Sequence, residues 1–196
     1  MNLKDSQTLL NLTKAYSGEC QAQNRYKFIE YGARYNGYNC LAEVVDKIIY
    51  NEFNHARMFY TYIQKAQKEP IENITVETGT PFKQKWDLVE NLKFAAEDEQ
   101  AEVKIYSKFS KIAFDEGFKD IGFLFAEIGK IEAKHNKIFN ELFEKMANNC
   151  LYKSEKKVKW KCSGCGYEHV GTEAPKICPV CQAKQGVFLL NLKNCC

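Results

Sequence analysis

Two Glu-x-x-His tetrads, Glu52-Phe-Asn-His55 and Glu132-Ala-Lys-His135, stand out in a chain of 196 residues with only three histidines. Residues three apart share one face of a helix, so each tetrad offers a carboxylate and an imidazole side by side. Both tetrads lie in apolar stripes of helical period. Val45, Ile48, Ile49, Ala56, Phe59 and Ile63 flank the first, and Phe125, Ile128, Phe139 and Leu142 flank the second. Two further segments carry acid on an apolar face: Leu12, Ala15, Glu19, Ala22 and Tyr26 fall together, as do Leu92, Ala95, Glu99, Glu102, Tyr106 and Phe109. One glutamate in such a place normally sits at the edge of a core and reaches water. One histidine there is normally a hydrogen-bonded core residue. Five carboxylates and two imidazoles in one core are a different matter, because a buried carboxylate costs several kcal/mol unless it is paired or binds a cation. No lysine or arginine occupies these stripes in numbers that could neutralise them. Two bound metal ions, divalent or trivalent, would bracket the charge of five glutamates. Carboxylate and imidazole are ligands that iron accepts.

The spacing organises these residues into two copies of one unit. Glu19 precedes Glu52 by 33 residues and Glu99 precedes Glu132 by 33, while Tyr26 and Tyr106 each follow their glutamate by seven. Helical periodicity runs over roughly 5–35, 41–67, 84–114 and 118–147. Asn36-Gly37-Tyr38-Asn39 breaks the first pair of segments and Asp115-Glu116-Gly117 breaks the second, so each pair is expected to be an antiparallel helical hairpin. Residues 68–83, with Pro70, Gly79 and Pro81, suit a crossover between hairpins. A glutamate from each of two helices plus Glu-x-x-His from each of the other two is the di-metal constellation of ferritin-like four-helix bundles. Glu102 has no counterpart in the first copy, where Ala22 stands at the matching position. It is either a surface residue one turn on or a seventh ligand.

The cysteines mark a second unit. Of nine, four form two Cys-x-x-Cys pairs, Cys162/Cys165 and Cys178/Cys181, with twelve residues between them. Two such knuckles enclose a tetrahedral site that suits zinc or a single iron. Gly166 and Pro179 let backbone amides approach the sulfurs. Cys20, Cys40, Cys150, Cys195 and Cys196 show no metal spacing, and an odd total with no secretory leader argues against a disulfide framework. The expected architecture is mainly α: a ferritin-like four-helix bundle over 1–149, a solvated lysine-rich linker over 150–155, and a small four-cysteine, zinc-ribbon-type β domain over 156–196.

Bulk properties narrow the function less. A net charge of +3 says little about partners, although residues 151–196 hold eight lysines against three acids. Base-stacking aromatics are sparse in that tail, so nucleic-acid binding is not expected. No stretch approaches the ~18 apolar residues of a membrane span, and a cytoplasmic location is expected. There is no glycine-rich nucleotide-binding motif.

Over essentially its whole length the chain resembles the rubrerythrin family. The matching segments are Gly18-Glu19-Cys20-Gln21-Ala22-Gln23-Asn24-Arg25-Tyr26, Glu52-x-x-His55, Glu99-x-x-Glu102, Glu132-x-x-His135 and the tail from Trp160-Lys161-Cys162, in the order of rubrerythrins with a C-terminal rubredoxin-like module. The resemblance implies iron at Cys162, Cys165, Cys178 and Cys181. It implies a di-iron site held by Glu19, Glu52, Glu99, Glu132 and His135, with Glu52 and Glu132 bridging. The remaining ligand is expected to alternate between His55 when reduced and Glu102 when oxidised. Tyr26 and Tyr106 are expected to hydrogen-bond to ligands. Tyr106 stands one residue earlier than the family pattern places it, a rotation of about 100° on a helix. The implied activity is reduction of hydrogen peroxide to water in an anaerobic or microaerophilic cell. His55, Glu102 and Tyr26 would be the residues nearest the chemistry. Electrons would come from NAD(P)H through a separate reductase or rubredoxin and pass through the four-cysteine iron, in a homodimer whose tails serve the partner's bundle. Two other functions share parts of this pattern: a ferroxidase or iron-storage protein, and a zinc-ribbon binding module.

Overall fold

The computed structural model describes residues 2–66, 69–81 and 87–193. Four helices, α1 (Gln7–Tyr35), α2 (Asn39–Gln64), α3 (Leu88–Asp115) and α4 (Lys119–Ala147), form the bundle. The segment expected to open α3 at 84, the last expected residue of α2 at 67, and Cys195 and Cys196 lie outside the described residues.

Each hairpin closes in the same way. Tyr38 N donates to Ala33 O and Phe118 N to Ala113 O, both at 2.8 Å. This pattern ends a helix on a left-handed residue, and the residues there are Gly37 (φ +79°) and Gly117 (φ +90°). A connector of three residues forces the helices of each pair to lie side by side and antiparallel. The duplication read from the ligands therefore extends to the turns. Ser6 caps α1 by accepting from Leu9 N at 3.1 Å, and Asp87 caps α3 by accepting from Glu90 N at 3.0 Å. Residues 69–81 run without regular structure between the hairpins. Two apolar clusters fill the bundle on either side of the charged layer. One holds Leu12, Phe59, Ile121, Phe125 and Ile128. The other holds Ile29, Leu41, Val45, Ile48, Leu92 and Phe139.

The second cluster continues into the C-terminal module through Tyr152, Trp160, Cys162, Cys178 and Phe188. The module is an antiparallel pair, β1 (Lys153–Lys161) and β2 (Glu168–Glu173), followed by the two knuckles. It seats against the α1–α2 turn: a Cβ on Gly186 would run into the Gly37 carbonyl. The second half of the expected linker, residues 153–155, already belongs to strand β1. Val158 and Trp160 point inward while Lys157, Lys159 and Lys161 face out, so the strand's period of two is hidden under a run of lysines.

Candidate metal centres

Eighty residues separate each ligand in the first hairpin from its counterpart in the second, and the fold superposes the copies around one centre. Glu19, Glu52, His55 and Glu132 place ligand atoms within 4.8 Å of one another, as do Glu52, Glu99, Glu132 and His135. Glu52 and Glu132 belong to both groups, so the arrangement is two metal sites with two shared carboxylates. Both histidines turn Nδ1 inward. His55 Nδ1 lies 3.0 Å from Glu52 Oε2 and 3.0 Å from Glu132 Oε1. His135 Nδ1 lies 2.7 Å from Glu132 Oε2 and 3.0 Å from Glu52 Oε1.

The four shared or flanking glutamates are almost fully buried, and Glu19, Glu99 and Glu132 are 0% exposed. Among the described residues Glu19 Oε2 and Glu99 Oε2 accept no hydrogen bond, and Glu52 Oε1 and both oxygens of Glu132 face only the histidine Nδ1 atoms. Buried acceptors without donors are costly, and these converge on common points, which is what a pair of cations would satisfy. The electrostatics agree. Burial pushes the carboxyls of Glu19 and Glu99 well above the usual range, and the neighbouring carboxylates push further. Burial also raises Glu52, but the imidazoles of His135 and His55 outweigh it and hold that carboxyl at about 2. Burial opposes charge on His55, yet Glu132, Glu19 and Glu52 raise it to about 12. His135 rises to about 9, driven by Glu132 and Glu52 against its burial.

Two tyrosines tie the hairpins together across the centre. Tyr26 on α1 donates to Glu99 Oε1 at 2.7 Å, and Tyr106 on α3 donates to Glu19 Oε1 at 2.5 Å. The reciprocity requires α1 and α3 to run antiparallel. Burial and the adjacent carboxylates raise both phenols well above their ordinary value, so both remain donors. Each leaves its glutamate one oxygen for a metal.

Four thiolates define a third site. Cys162 Sγ is 3.7 Å from Cys181 Sγ, and Cys165 Sγ is 3.6 Å from Cys178 Sγ. A tetrahedron with metal–sulfur bonds of about 2.3 Å has edges of about 3.8 Å, so the spacing fits a metal. The amides of Tyr167, Val180, Cys181 and Ala183 point at the sulfurs. Gly166, at φ +78°, makes the turn of the first knuckle. Burial works against thiolate at Cys178, but the Cys181 and Val180 amides prevail and bring it to about 7. Cys162 and Cys178 are buried, whereas Cys165 and Cys181 are exposed.

The family model described as rubrerythrin matches residues 11–89 and 90–162, and the one described as the rubredoxin-like domain of rubrerythrin matches residues 160–188. The chain belongs to the rubrerythrin family. The rubrerythrin of Clostridium perfringens is 35% identical over 189 residues, 95% of each chain. Rubrerythrin-1 of Clostridium acetobutylicum is 33% identical over 194 residues, 98% of each chain. A structure of fully reduced, all-ferrous nigerythrin aligns with a TM-score of 0.62 at 24% identity, over 97% of this chain and 93% of that one. At that identity the match speaks for the fold.

Within this rubrerythrin-family chain, six of the seven expected carboxylate and imidazole ligands come together. Glu102 does not join them. It lies one turn beyond Glu99, half-buried, and lines a cavity between α1 and α3. Tyr106 reaches Glu19 despite its offset from the family pattern, because its seven-residue spacing from Glu99 repeats that of Tyr26 from Glu19. Sequence reasoning missed Asn51, whose Nδ2 lies 3.1 Å from His135 Nε2. Ile131 stands eighty residues on, where the equivalent partner of His55 would be. Among the described residues no hydrogen bond reaches His55 Nε2. The sign available in the sequence was a polar residue immediately before Glu52 where the second copy has an apolar one.

Proposed function

We propose that this chain is a non-haem di-iron peroxidase that reduces hydrogen peroxide to water. Its electrons come from NAD(P)H through a separate reductase or rubredoxin and pass through a four-cysteine iron. The observation that carries this reading is the pair of buried ligand sets sharing Glu52 and Glu132, whose carboxylate oxygens and imidazole nitrogens converge on common points. Iron bound there supplies one electron per metal and Lewis acidity at the peroxide oxygens. Glu19, Glu52, His55, Glu99, Glu132 and His135 hold the metals, and Tyr26 and Tyr106 orient Glu99 and Glu19. Burial and the neighbouring Glu19, Glu132 and Glu52 raise the Glu102 carboxyl well above its ordinary value in the metal-free chain, which suits it to deliver a proton. With iron bound, Glu102 would be the candidate to replace His55 as a ligand.

The thiolate module sits at the α1–α2 turn, and Glu19 lies 18 residues before Gly37, about 27 Å along α1. That separation supports a homodimer in which the module of one chain serves the bundle of the other. The proposed setting is cytoplasmic defence against oxidative stress in an anaerobe or microaerophile. No helix among the described residues is long and apolar enough to cross a membrane. No single observation favours the ferroxidase or zinc-ribbon reading over this one.

The deciding experiment is metal analysis with an optical spectrum of anaerobically reduced protein, before and after peroxide. The expected result is iron in both sites, with the bundle and the thiolate centre both oxidised rapidly. Zinc in the tail and no response to peroxide would overturn the reading. Cys162→Ser should abolish NADH-driven turnover.

A further inference from the structure

The cavity that Glu102 lines has a volume of about 310 Å³. That lies at the lower end of small-molecule sites, ~300–1,000 Å³, and far exceeds what a two-oxygen substrate needs. It runs between α1 and α3 under the crossover at Glu77–Gly79 and Pro81. Its inner end is formed by Glu102 and Tyr106, the second of which bonds Glu19 of the metal centre. Its walls are mainly apolar, with Ala15, Ile105 and Phe109 facing the space. Lys14 and Arg25 face Glu77, Asp98 and Glu102 there, so charges of both signs nearly offset, and Arg25 already pairs with Asp98 at 3.6 Å. A neutral ligand with an apolar body fits these walls better than a strongly charged one.

Gly18 is an independent indication. It lies in the interior of α1, where glycine costs about 1 kcal/mol relative to alanine. Its φ is not positive, and a Cβ placed there would meet nothing within 4 Å. Neither backbone conformation nor close packing accounts for it. Its missing side chain leaves the cavity wall open immediately beside Glu19.

We propose that this cavity receives the organic part of alkyl and aryl hydroperoxides, so that the chain reduces these as well as hydrogen peroxide. The inference rests on the peroxidase reading and extends its substrate class. The hydroperoxide group points inward to Glu102 and Tyr106, and the carbon skeleton lies along Ile105, Phe109 and the gap at Gly18. The O–O bond breaks, and two electrons come from the same reduced centre that serves hydrogen peroxide. Two protons complete one alcohol and one water.

The test compares cumene hydroperoxide with hydrogen peroxide on the iron-loaded full chain, wild type against Ile105→Trp and Gly18→Leu. Ile105 is 41% exposed, so the larger ring has room to turn into the cavity without unpacking the core. Filling the cavity should lower kcat/KM for cumene hydroperoxide by about 10–100-fold, the range for steric discrimination in an apolar pocket, and leave hydrogen peroxide turnover unchanged. A second readout uses zinc-loaded protein and the inert product cumyl alcohol. Saturation-transfer NMR should show the alcohol bound to wild type and lost from both variants. The proposal is overturned if a protein active on hydrogen peroxide ignores cumene hydroperoxide, if the variants lower both substrates equally, or if alcohol binding survives both substitutions. Failure on both peroxides would instead strike the peroxidase reading, while the zinc-loaded experiment would still decide for or against the cavity.

Discussion

Asn51 makes the two metal sites unequal. His135 is fixed from behind by the Asn51 amide, while His55 has Ile131 at the corresponding place and an extra carboxylate, Glu102, near Glu19. Partners that orient a ligating histidine are worth about 10–100-fold in metal affinity. Asn51→Ala should therefore weaken the His135 site by that factor and bring it towards the His55 site. Zinc titration against a competing chelator should show two separated affinities in wild type and a narrowed gap in the variant. Protonation of the ligand residues in metal-free protein gives a second prediction at this scale. His55 and His135 are raised above their ordinary value of 6.5, so their contribution to stability is complete below that pH. It fades as pH rises, through about 9 for His135. Glu19 and Glu99, raised by burial, act in the same direction, since the folded chain holds protons that the unfolded chain releases. Glu52 opposes them only at low pH, between its ordinary 4.5 and about 2. Urea unfolding of metal-free protein should show stability falling from pH 6.5 to 9. Loading metal at neutral pH should release more than one proton per chain, because ligands bind deprotonated. Calorimetry in buffers of different ionisation enthalpy measures that release.

At the scale of elements, the helices hold the site only if their ends are fixed against one another. Glu116, in the α3–α4 turn, accepts from Gln7 N at 3.0 Å, from Thr8 N at 2.8 Å and from the Thr8 hydroxyl at 2.5 Å. It satisfies the first amides of α1 from another hairpin and complements the helix dipole there. Glu116→Ala should cost about 1–2 kcal/mol, as loss of a cap does, read from denaturant midpoints of metal-loaded protein. The stripes that carry the ligands were legible in the sequence because apolar residues with one acid at i, i+3, i+4 spacing define a buried face. Both turn glycines were legible because their segments interrupt that period. The face of α1 was weaker, since it buries Thr8, Asn11, Glu19 and Glu30 and so looks half polar. The start of strand β1 was not legible because its inward residues, Val158 and Trp160, are outnumbered by lysines. Glu116 and Asn51 could not be found from pattern alone: their roles depend on how one hairpin lies against the other.

For the whole molecule, the rubredoxin-like module and the bundle share one apolar core rather than being joined by a free tether. Tyr38 and Tyr152 stack with ring centroids 6.5 Å apart, and Gly186 lies against the Gly37 carbonyl. Any side chain at 186 collides with backbone, which cannot swing away as a side chain would. Gly186→Ala should part the module from the α1–α2 turn while leaving both metal-binding units intact. Limited proteolysis near residue 150 should then become faster, with zinc stoichiometry unchanged. If proteolysis stays at the wild-type rate, the docking described above is not what holds the module.

The eighty-residue repeat also bears on how such a centre can be assembled. Each hairpin contributes three ligands: Glu19, Glu52 and His55 from one, Glu99, Glu132 and His135 from the other. Each also lends the other its tyrosine. Neither half can close a site alone, yet each presents a surface complementary to the other's. Two separately produced polypeptides, cut within the crossover, should therefore recover tight zinc binding on mixing that neither shows by itself. The centre is a joint between two near-equivalent parts, and the covalent connection between them serves to raise their local concentration.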